Sequence, residues 1–301
     1  MIKFNEVTKI FKSEVLTQPF TALDKVTFEV PTGSMVGFLG ANGAGKTTSL
    51  KIIMDFIRPT SGSVDFSELG LNKQEIFRKI GFLPERPYFY QNLSGEEFLK
   101  FMGTLSEVPS NHIMERVQYW APRFRIDHAL KREIKTYSKG MLQRLGFLAT
   151  VLHEPKLIIL DEPLSGLDPI GRKELKDVIV EVHKSGKTVF FSSHIVSDIE
   201  EICDRTIFLK DGKLVYDGPV HSLLKTGVEQ DFIIKVITPE GLDLSTEVKS
   251  VTNFPQGLRL ISVSPANKNV LLAELMSRRI EVVGMEQSRL SLEEIFYQVR
   301  Q

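Results

Sequence analysis

Met35-Val36-Gly37-Phe38-Leu39-Gly40-Ala41-Asn42-Gly43-Ala44-Gly45-Lys46-Thr47-Thr48 is the stretch whose reading decides the fold. Its first five residues form a compact apolar block, the pattern of a fully buried strand. From Gly40 to Thr47 the chain fits G-x-x-x-x-G-K-[ST], and from about Lys46 it is patterned as a helix that stops before Pro59. Strand, glycine-rich loop and helix in that order make a phosphate loop. The glycines let backbone amides converge on phosphate oxygens, where side chains would obstruct the approach. The helix aims its positive end at the same anion. On this reading Gly40, Ala41, Asn42, Gly43, Ala44 and Gly45 wrap a nucleotide's phosphates, and Lys46 reaches the β- and γ-phosphates. The Thr47 hydroxyl ligates Mg²⁺, and Thr48 adds a phosphate contact. The motif alone leaves a kinase, a GTPase and a transport ATPase open.

Working outward, Val26, Phe28 and Val30 alternate with polar neighbours as a strand does, and Pro31-Thr32-Gly33 reads as a turn. Pro59-Thr60-Ser61-Gly62 reads as another turn. Beyond Arg86 the strand-like runs vanish, and Phe98, Phe101, Met102 and Leu105 recur at helical spacing, which predicts a helical insertion over about 86–150. Leu157-Ile158-Ile159-Leu160 and Thr188-Val189-Phe190-Phe191 then read as short buried strands either side of a helix over 171–185. Strands alternating with helices predict a mostly parallel sheet in an α/β fold. Past Gly227 the pattern shifts to strands at 232–237, 258–263 and 280–285 and helices at 270–276 and 292–299. We therefore expect a nucleotide-binding domain over 1–225 and a small α+β accessory domain over 226–301.

Lysine plus arginine and aspartate plus glutamate each number 38, so the formal charge is zero and no general nucleic-acid binding is expected. The single cysteine, Cys203, excludes an intramolecular disulfide and reads as a small core or boundary residue. No run of about 18 apolar residues occurs, so a membrane role must come through a partner. Met1-Ile2-Lys3-Phe4-Asn5-Glu6-Val7 alternates like a strand, so no secretory leader is expected.

The strand at 157–160 delivers Asp161 and Glu162 to its C-terminal end, where ligands sit in such sheets. Asp161 can hold Mg²⁺, and Glu162 can polarise an attacking water. Tyr137-Ser138-Lys139-Gly140-Met141 opens a helix whose apolar face runs through Met141, Leu145, Leu148 and Leu152, with Ser138 as N-cap, a second helix end able to face an anion.

This segment, followed by Gln143-Arg144-Leu145, resembles the signature of the ATP-binding cassette (ABC) family. Ser165-Gly166-Leu167-Asp168 is similar to that family's D-loop, and His194 in Ser192-Ser193-His194 matches its switch histidine. The resemblance covers about residues 1–220 with the motifs in the family's order. It implies a mostly parallel core sheet, an antiparallel β subdomain and a helical insertion, and it implies ATP with Mg²⁺ as the ligands. It also implies two cassettes facing head to tail, a homodimer or a paired cassette subunit. Lys46, Thr47 and Asp161 of one then bind ATP, while Ser138, Lys139, Gly140 and Met141 of the other reach its γ-phosphate. Phe11 is expected to stack on adenine, and Glu85, where a glutamine often sits, to approach Mg²⁺. Lys139 and Met141 depart from the family's usual glycine and glutamine.

In the family's transport members, closure is passed to transmembrane permease subunits gripped near the Glu85 loop. Arg86-Pro87-Tyr88-Phe89-Tyr90 offers aromatics for such a contact, or for packing within the insertion. The last domain, ending in Ser291-Leu292-Glu293-Glu294-Ile295-Phe296, resembles the extension of bacterial ABC-2-type exporter ATPases. The expectation is an ATPase subunit peripheral on the cytoplasmic face of the membrane. The alternatives are a soluble cassette ATPase acting on ribosomes or nucleic acid, a phosphate-loop kinase, and a regulatory subunit with little turnover. A single phosphate loop and neutral charge argue against the first of these, and Glu162 against the last.

Overall fold

Met35–Leu39 and Leu157–Leu160 are buried at every residue, which only the middle of a sheet covered on both faces allows. A computed structural model of the chain describes residues 1–12, 19–66, 73–223, 231–238, 242 and 244–287. It divides the chain into two compact units, Met1–Val220 and His221–Gln301.

The first unit begins with β1 (Ile2–Phe11), β2 (Phe20–Val30), β3 (Met35–Leu39), α1 (Lys46–Ile53), β4 (Ser61–Asp65), α2 (Lys73–Phe77) and β5 (Ile80–Leu83). Three helices follow, α3 (Gly95–Leu105), α4 (Ser110–Trp120) and α5 (Lys139–Val151), which make the helical insertion. The chain then returns to the sheet through β6 (Leu157–Leu160), α6 (Pro169–Lys184), β7 (Thr188–Ser193), α7 (Val196–Ile202), β8 (Arg205–Lys210) and β9 (Lys213–Pro219). The central sheet has the order β5-β6-β7-β3-β8-β9, parallel except for the β8–β9 hairpin at its edge. A separate antiparallel sheet, β2-β1-β4, lies against it. Stacked Phe4 and Phe28, at 4.6 Å between ring centroids, continue through Phe38 to Phe190 and join the two sheets in one core. This is the α/β cassette architecture expected from the sequence.

Helix α1 ends at Ile53, well before Pro59. Ser61 and Gly62 do not turn but open β4, which pairs with β1. Gly62 sits at φ +83°, and a Cβ there would stand 2.4 Å from the Glu6 carbonyl oxygen, so the glycine serves close strand approach. In α3, Phe98 is buried while Phe101 and Leu105 are exposed, so the helix buries a narrower face than its spacing implies. Of the apolar face expected for α5, Leu145, Leu148 and the C-cap Leu152 are buried, while Met141 is half-buried. Cys203 is buried, and its thiol is pushed well up by that burial.

In the second unit α8 (Val220–Leu223) leads, across the division, to β10 (Phe232–Ile237), β11 (Ser250–Asn253), β12 (Leu258–Val263), α9 (Lys268–Ser277) and β13 (Glu281–Gln287). The strands form an antiparallel sheet of order β11-β12-β10-β13. Ile234, Val236, Ile261 and Val263 pack with Leu271 and Leu275 of α9 into its small core. Glu274 of α9 holds the preceding loop by accepting from the Ser245 and Thr246 amides at 2.7 and 2.8 Å. The expected helix over 292–299 lies outside the described residues. No helix among the described residues is long and apolar enough to cross a membrane.

Candidate nucleotide site

Four parallel strands of the central sheet end on one side, and each releases a functional segment there. β3 leads into the phosphate loop, β5 into Glu85, β6 into Asp161 and Glu162, and β7 into His194. Ligands of open α/β sheets bind at such carboxyl ends. The cleft between them measures about 370 Å³ and is lined by Ala41, Asn42, Gly43, Gly45, Lys46, Thr47 and Thr48 with Glu85, Glu162, Ser165, His194, Phe20 and Ala22.

The loop's shape follows from its glycines. Gly45 takes φ +105°, and a Cβ there would stand 2.7 Å from Leu23 Cδ2 and 2.8 Å from the Ala22 oxygen. It is also the N-cap of α1, so no side chain caps that helix, and no acidic residue stands in its first turn. The Ala44 amide closes the loop onto the Ala41 carbonyl at 3.1 Å, and Gly40 passes so close to the Leu209 carbonyl that a Cβ would meet it at 2.7 Å. Lys46 is buried at 5% exposure, and its ammonium donates to the Gly40 carbonyl at 2.7 Å and more weakly to Ala41 at 3.3 Å.

The acids meet this loop directly. Lys46 Nζ lies 3.2 Å from Glu162 Oε1, an ion pair that lacks hydrogen-bond alignment. His194 Nδ1 and Glu162 Oε2 are 2.8 Å apart. Glu162 itself occupies left-handed backbone at φ +49°, a conformation that costs a non-glycine residue on the order of 1 kcal/mol and clusters at functional sites. Thr47 Oγ1 donates to Asp161 Oδ1 at 3.4 Å. Burial pushes the Asp161 carboxyl above its ordinary range, opposed by hydrogen bonds from Ser192 and Thr47, while Glu162 and Glu85 add to the upward push.

Hard oxygen donors dominate this end of the cleft: the Thr47 hydroxyl, the Asp161 carboxylate and the half-exposed Glu85. That donor chemistry fits Mg²⁺, which takes one or two protein oxygens and completes its shell with phosphate and water. Among the described residues no cluster of three or more His, Cys, Asp and Glu side chains has metal-holding spacing.

The remaining expected residues do not line the cleft. Ser138 caps α5, accepting from the Met141 amide at 3.3 Å, and Gly140 faces Leu167. Lys139 lies across Gly166, and Asp168 caps α6 through the Gly171 amide at 3.1 Å. The start of α5 thus packs against the Ser165–Asp168 loop of its own chain. Phe11 is 42% exposed with Lys9 over its ring, whereas Phe20, its partner across β1 and β2, lines the cleft. Sequence pattern did not single out Phe20, because the alternation of β2 becomes readable only from Val26. Ser192 likewise carries no sequence signal that sets it apart from Ser193.

The profile of the ABC transporter family matches residues 23–165, the part of the chain that carries the phosphate loop and the acidic pair. An uncharacterised ABC transporter ATP-binding protein of Nostoc sp. is 34% identical over 300 residues, covering 98% of this chain and 88% of that protein. This chain belongs to the ABC transporter ATP-binding protein family. A bacitracin transport ATP-binding protein of Bacillus licheniformis is 38% identical over 232 residues, 75% of this chain and 72% of that one. The solved structure of an ATP-binding subunit of an ABC transporter superimposes with a TM-score of 0.65 at 28% identity, covering 74% of this chain and 92% of that chain. The cassette is an ATP-hydrolysing subunit of a transporter, and its phosphate loop, Glu85, Glu162 and His194 meet in the cleft described above.

Proposed function

We propose that this cassette binds Mg–ATP between its phosphate loop and the signature of a second cassette, and drives a separate transmembrane permease of the ABC-2 exporter type from the cytoplasmic face. The observation that carries the reading is the single cleft in which Lys46, Thr47, Glu162 and His194 meet. Lys46 neutralises the β- and γ-phosphates from within the glycine loop. Thr47 and Asp161, with Glu85 beside them, would hold Mg²⁺, which would supply charge neutralisation to the phosphates. Glu162 accepts the proton of the attacking water, a general-base contribution of ~10²–10⁴-fold in rate. His194, hydrogen-bonded to the same carboxylate, fixes its direction. Phe20, in the cleft wall, offers a ring face to adenine, with Phe11 opposite it across the strand pair.

The second half of the site is the exposed start of α5. Ser138, Lys139, Gly140 and Met141 would meet the γ-phosphate of the facing subunit's ATP, with Asp168 at the same seam. ATP then bridges two half-sites, neither of which surrounds the phosphate alone, and hydrolysis releases the bridge.

Beside Glu85, Tyr88 (82% exposed), Tyr90 and Phe101 form an aromatic shelf, with Tyr88–Tyr90 and Tyr90–Phe101 edge-to-face at 5.7 and 5.4 Å. Phe89 turns inward onto Phe98. The shelf suits an apolar helix end of a permease. The relative named for bacitracin transport supports a transport role. The test is a pull-down of tagged protein from gently solubilised native membranes. A polytopic membrane protein at stoichiometric yield is expected, and Tyr88→Glu with Tyr90→Glu should lose it while retaining nucleotide binding. Recovery with ribosomes or nucleic acid and no membrane partner would overturn the transport reading.

A further inference from the structure

Ser192 and Ser193 are adjacent in β7 and both are buried, yet their hydroxyls serve different groups, as alternation across a strand requires. Ser193 turns toward its own loop, accepting from the Ile195 amide at 3.0 Å. Ser192, with no exposed surface, turns toward β6. Its Oγ donates to Asp161 Oδ1 at 2.7 Å and accepts from the Glu162 amide at 2.8 Å.

A serine hydroxyl has one proton and two lone pairs, so these two bonds fix its orientation completely. The proton goes to Asp161, and a lone pair takes the Glu162 N–H. Among the described residues, the other hydrogen bond to the Asp161 carboxylate comes from Thr47 at 3.4 Å, near the limit of a useful bond, and it reaches the same oxygen. Ser192 is therefore the strong partner that sets the carboxylate's rotation and leaves Oδ2 out of the network. The Glu162 backbone, at φ +49°, needs its surroundings to hold it in the left-handed region, and the amide bond to Ser192 does so at the residue itself. One hydroxyl thus orients both acids.

We propose that Ser192 is a positioning residue of the ATPase site, turning Asp161 toward Mg²⁺ and holding the strained backbone that presents Glu162. The inference rests on the reading of Asp161 as the Mg²⁺ residue given above. Outer partners of metal-site groups typically matter ~10–100-fold in metal affinity or activity.

Ser192→Ala removes the hydroxyl, Ser192→Cys keeps nearly the same shape with a weak donor, and Ser192→Thr keeps the hydroxyl on a residue that suits a strand. Two readouts apply besides turnover: hydrogen exchange at the Glu162 amide, and the Mg²⁺ concentration that half-saturates its effect on binding of a fluorescent ATP analogue. In Ser192→Ala and Ser192→Cys the Glu162 amide should exchange about ten-fold faster, and the Mg²⁺ requirement should rise about ten-fold. Metal-free nucleotide binding should be unchanged in both, and Ser192→Thr should stay near the parent. Should Ser192→Ala fail to fold, the shape-matched Ser192→Cys decides. Ser192→Cys matching the parent in both readouts, while the parent responds to Mg²⁺, overturns the inference alone. A parent whose nucleotide binding ignores Mg²⁺ overturns the metal reading of Asp161 and the inference with it.

Discussion

Helices α1 and α3 belong to the same unit and begin in opposite ways. α3 is sealed by a capping box. The Ser94 hydroxyl accepts from the Glu97 amide at 3.3 Å, and Glu97 reaches back to the Ser94 amide at 2.8 Å. The Ser94 amide and the Ser94 hydroxyl, which also donates to Glu97 Oε2 at 2.7 Å, hold the Glu97 carboxyl below its ordinary range. α1 starts from Gly45 with no side-chain cap and no acid in its first turn. A capping side chain is ordinarily worth about 1 kcal/mol, so α1 forgoes stabilisation that α3 takes. What it keeps is a set of backbone amides and a positive helix end free for an anion. Glu274 repeats the sealed device outside a helix start, taking the Ser245 and Thr246 amides with a carboxylate. The same unit closes one helix start with side chains and leaves bare the one at the end of the phosphate loop.

The sharpest way to break the contrast is to transplant the seal. Thr48 stands three residues after the Gly45 cap, as Glu97 stands three after Ser94, and Thr48 lines the cleft. Thr48→Glu should weaken ATP binding on the order of 100-fold, the scale of a like charge a few ångströms from phosphate in a partly screened site. Its melting temperature should hold or rise, because an acid in the first helical turn is stabilising. Calorimetric titration with ATP and a thermal melt check both halves. A variant that binds ATP at parental affinity would show that the bare helix start has no part in the site.

Opening the sealed end should do the reverse. Ser94→Ala is expected to cost about 1 kcal/mol of stability and leave ATP turnover of the isolated cassette unchanged. Denaturant unfolding followed by an ATPase assay measures the two.

The smallest expected effect is present at neutral pH and disappears in acid. Glu274 is held at about 2 against an ordinary 4.5, chiefly by the Thr246 hydroxyl and the Ser245 amide. A carboxyl lowered on folding stabilises fully above its unfolded value and loses that contribution as pH falls toward its folded value. The parent should therefore melt earlier as pH drops from 4.5 toward 2, and Glu274→Gln should melt below the parent at pH 7 with the gap closing over that window. A gap that stays constant with pH would show that the carboxylate's charge is not what holds the loop.

Much of this was legible before any coordinates. The phosphate loop, the buried strand that ends in Asp161 and Glu162, and the Ser138-capped helix each carry local signals: glycines where backbone must pass closely, a four-residue apolar strand, a capping residue before a periodic face. What stayed hidden depends on contacts between distant segments. Nothing local separates Ser192 from Ser193, and only the pairing of β6 with β7 brings Ser192 to the acids. Phe20 enters the cleft through the β1–β2 hairpin register opposite Phe11. Tyr88, Phe89 and Tyr90 look alike in sequence, and tertiary packing sends the middle one inward. Gly62 reads as a turn residue until β1 is found against it.

On the proposed reading, the cleft between the open end of α1 and the end of β6 hydrolyses ATP through Glu162. The most direct test is Glu162→Gln in the full chain, with ATP binding, turnover and ATP-dependent dimerisation measured on one preparation. Glu162→Gln should retain binding, turn over ~10²–10⁴-fold more slowly as for loss of a general base, and accumulate a persistent dimer with ATP. Turnover at the parental rate would contradict that reading.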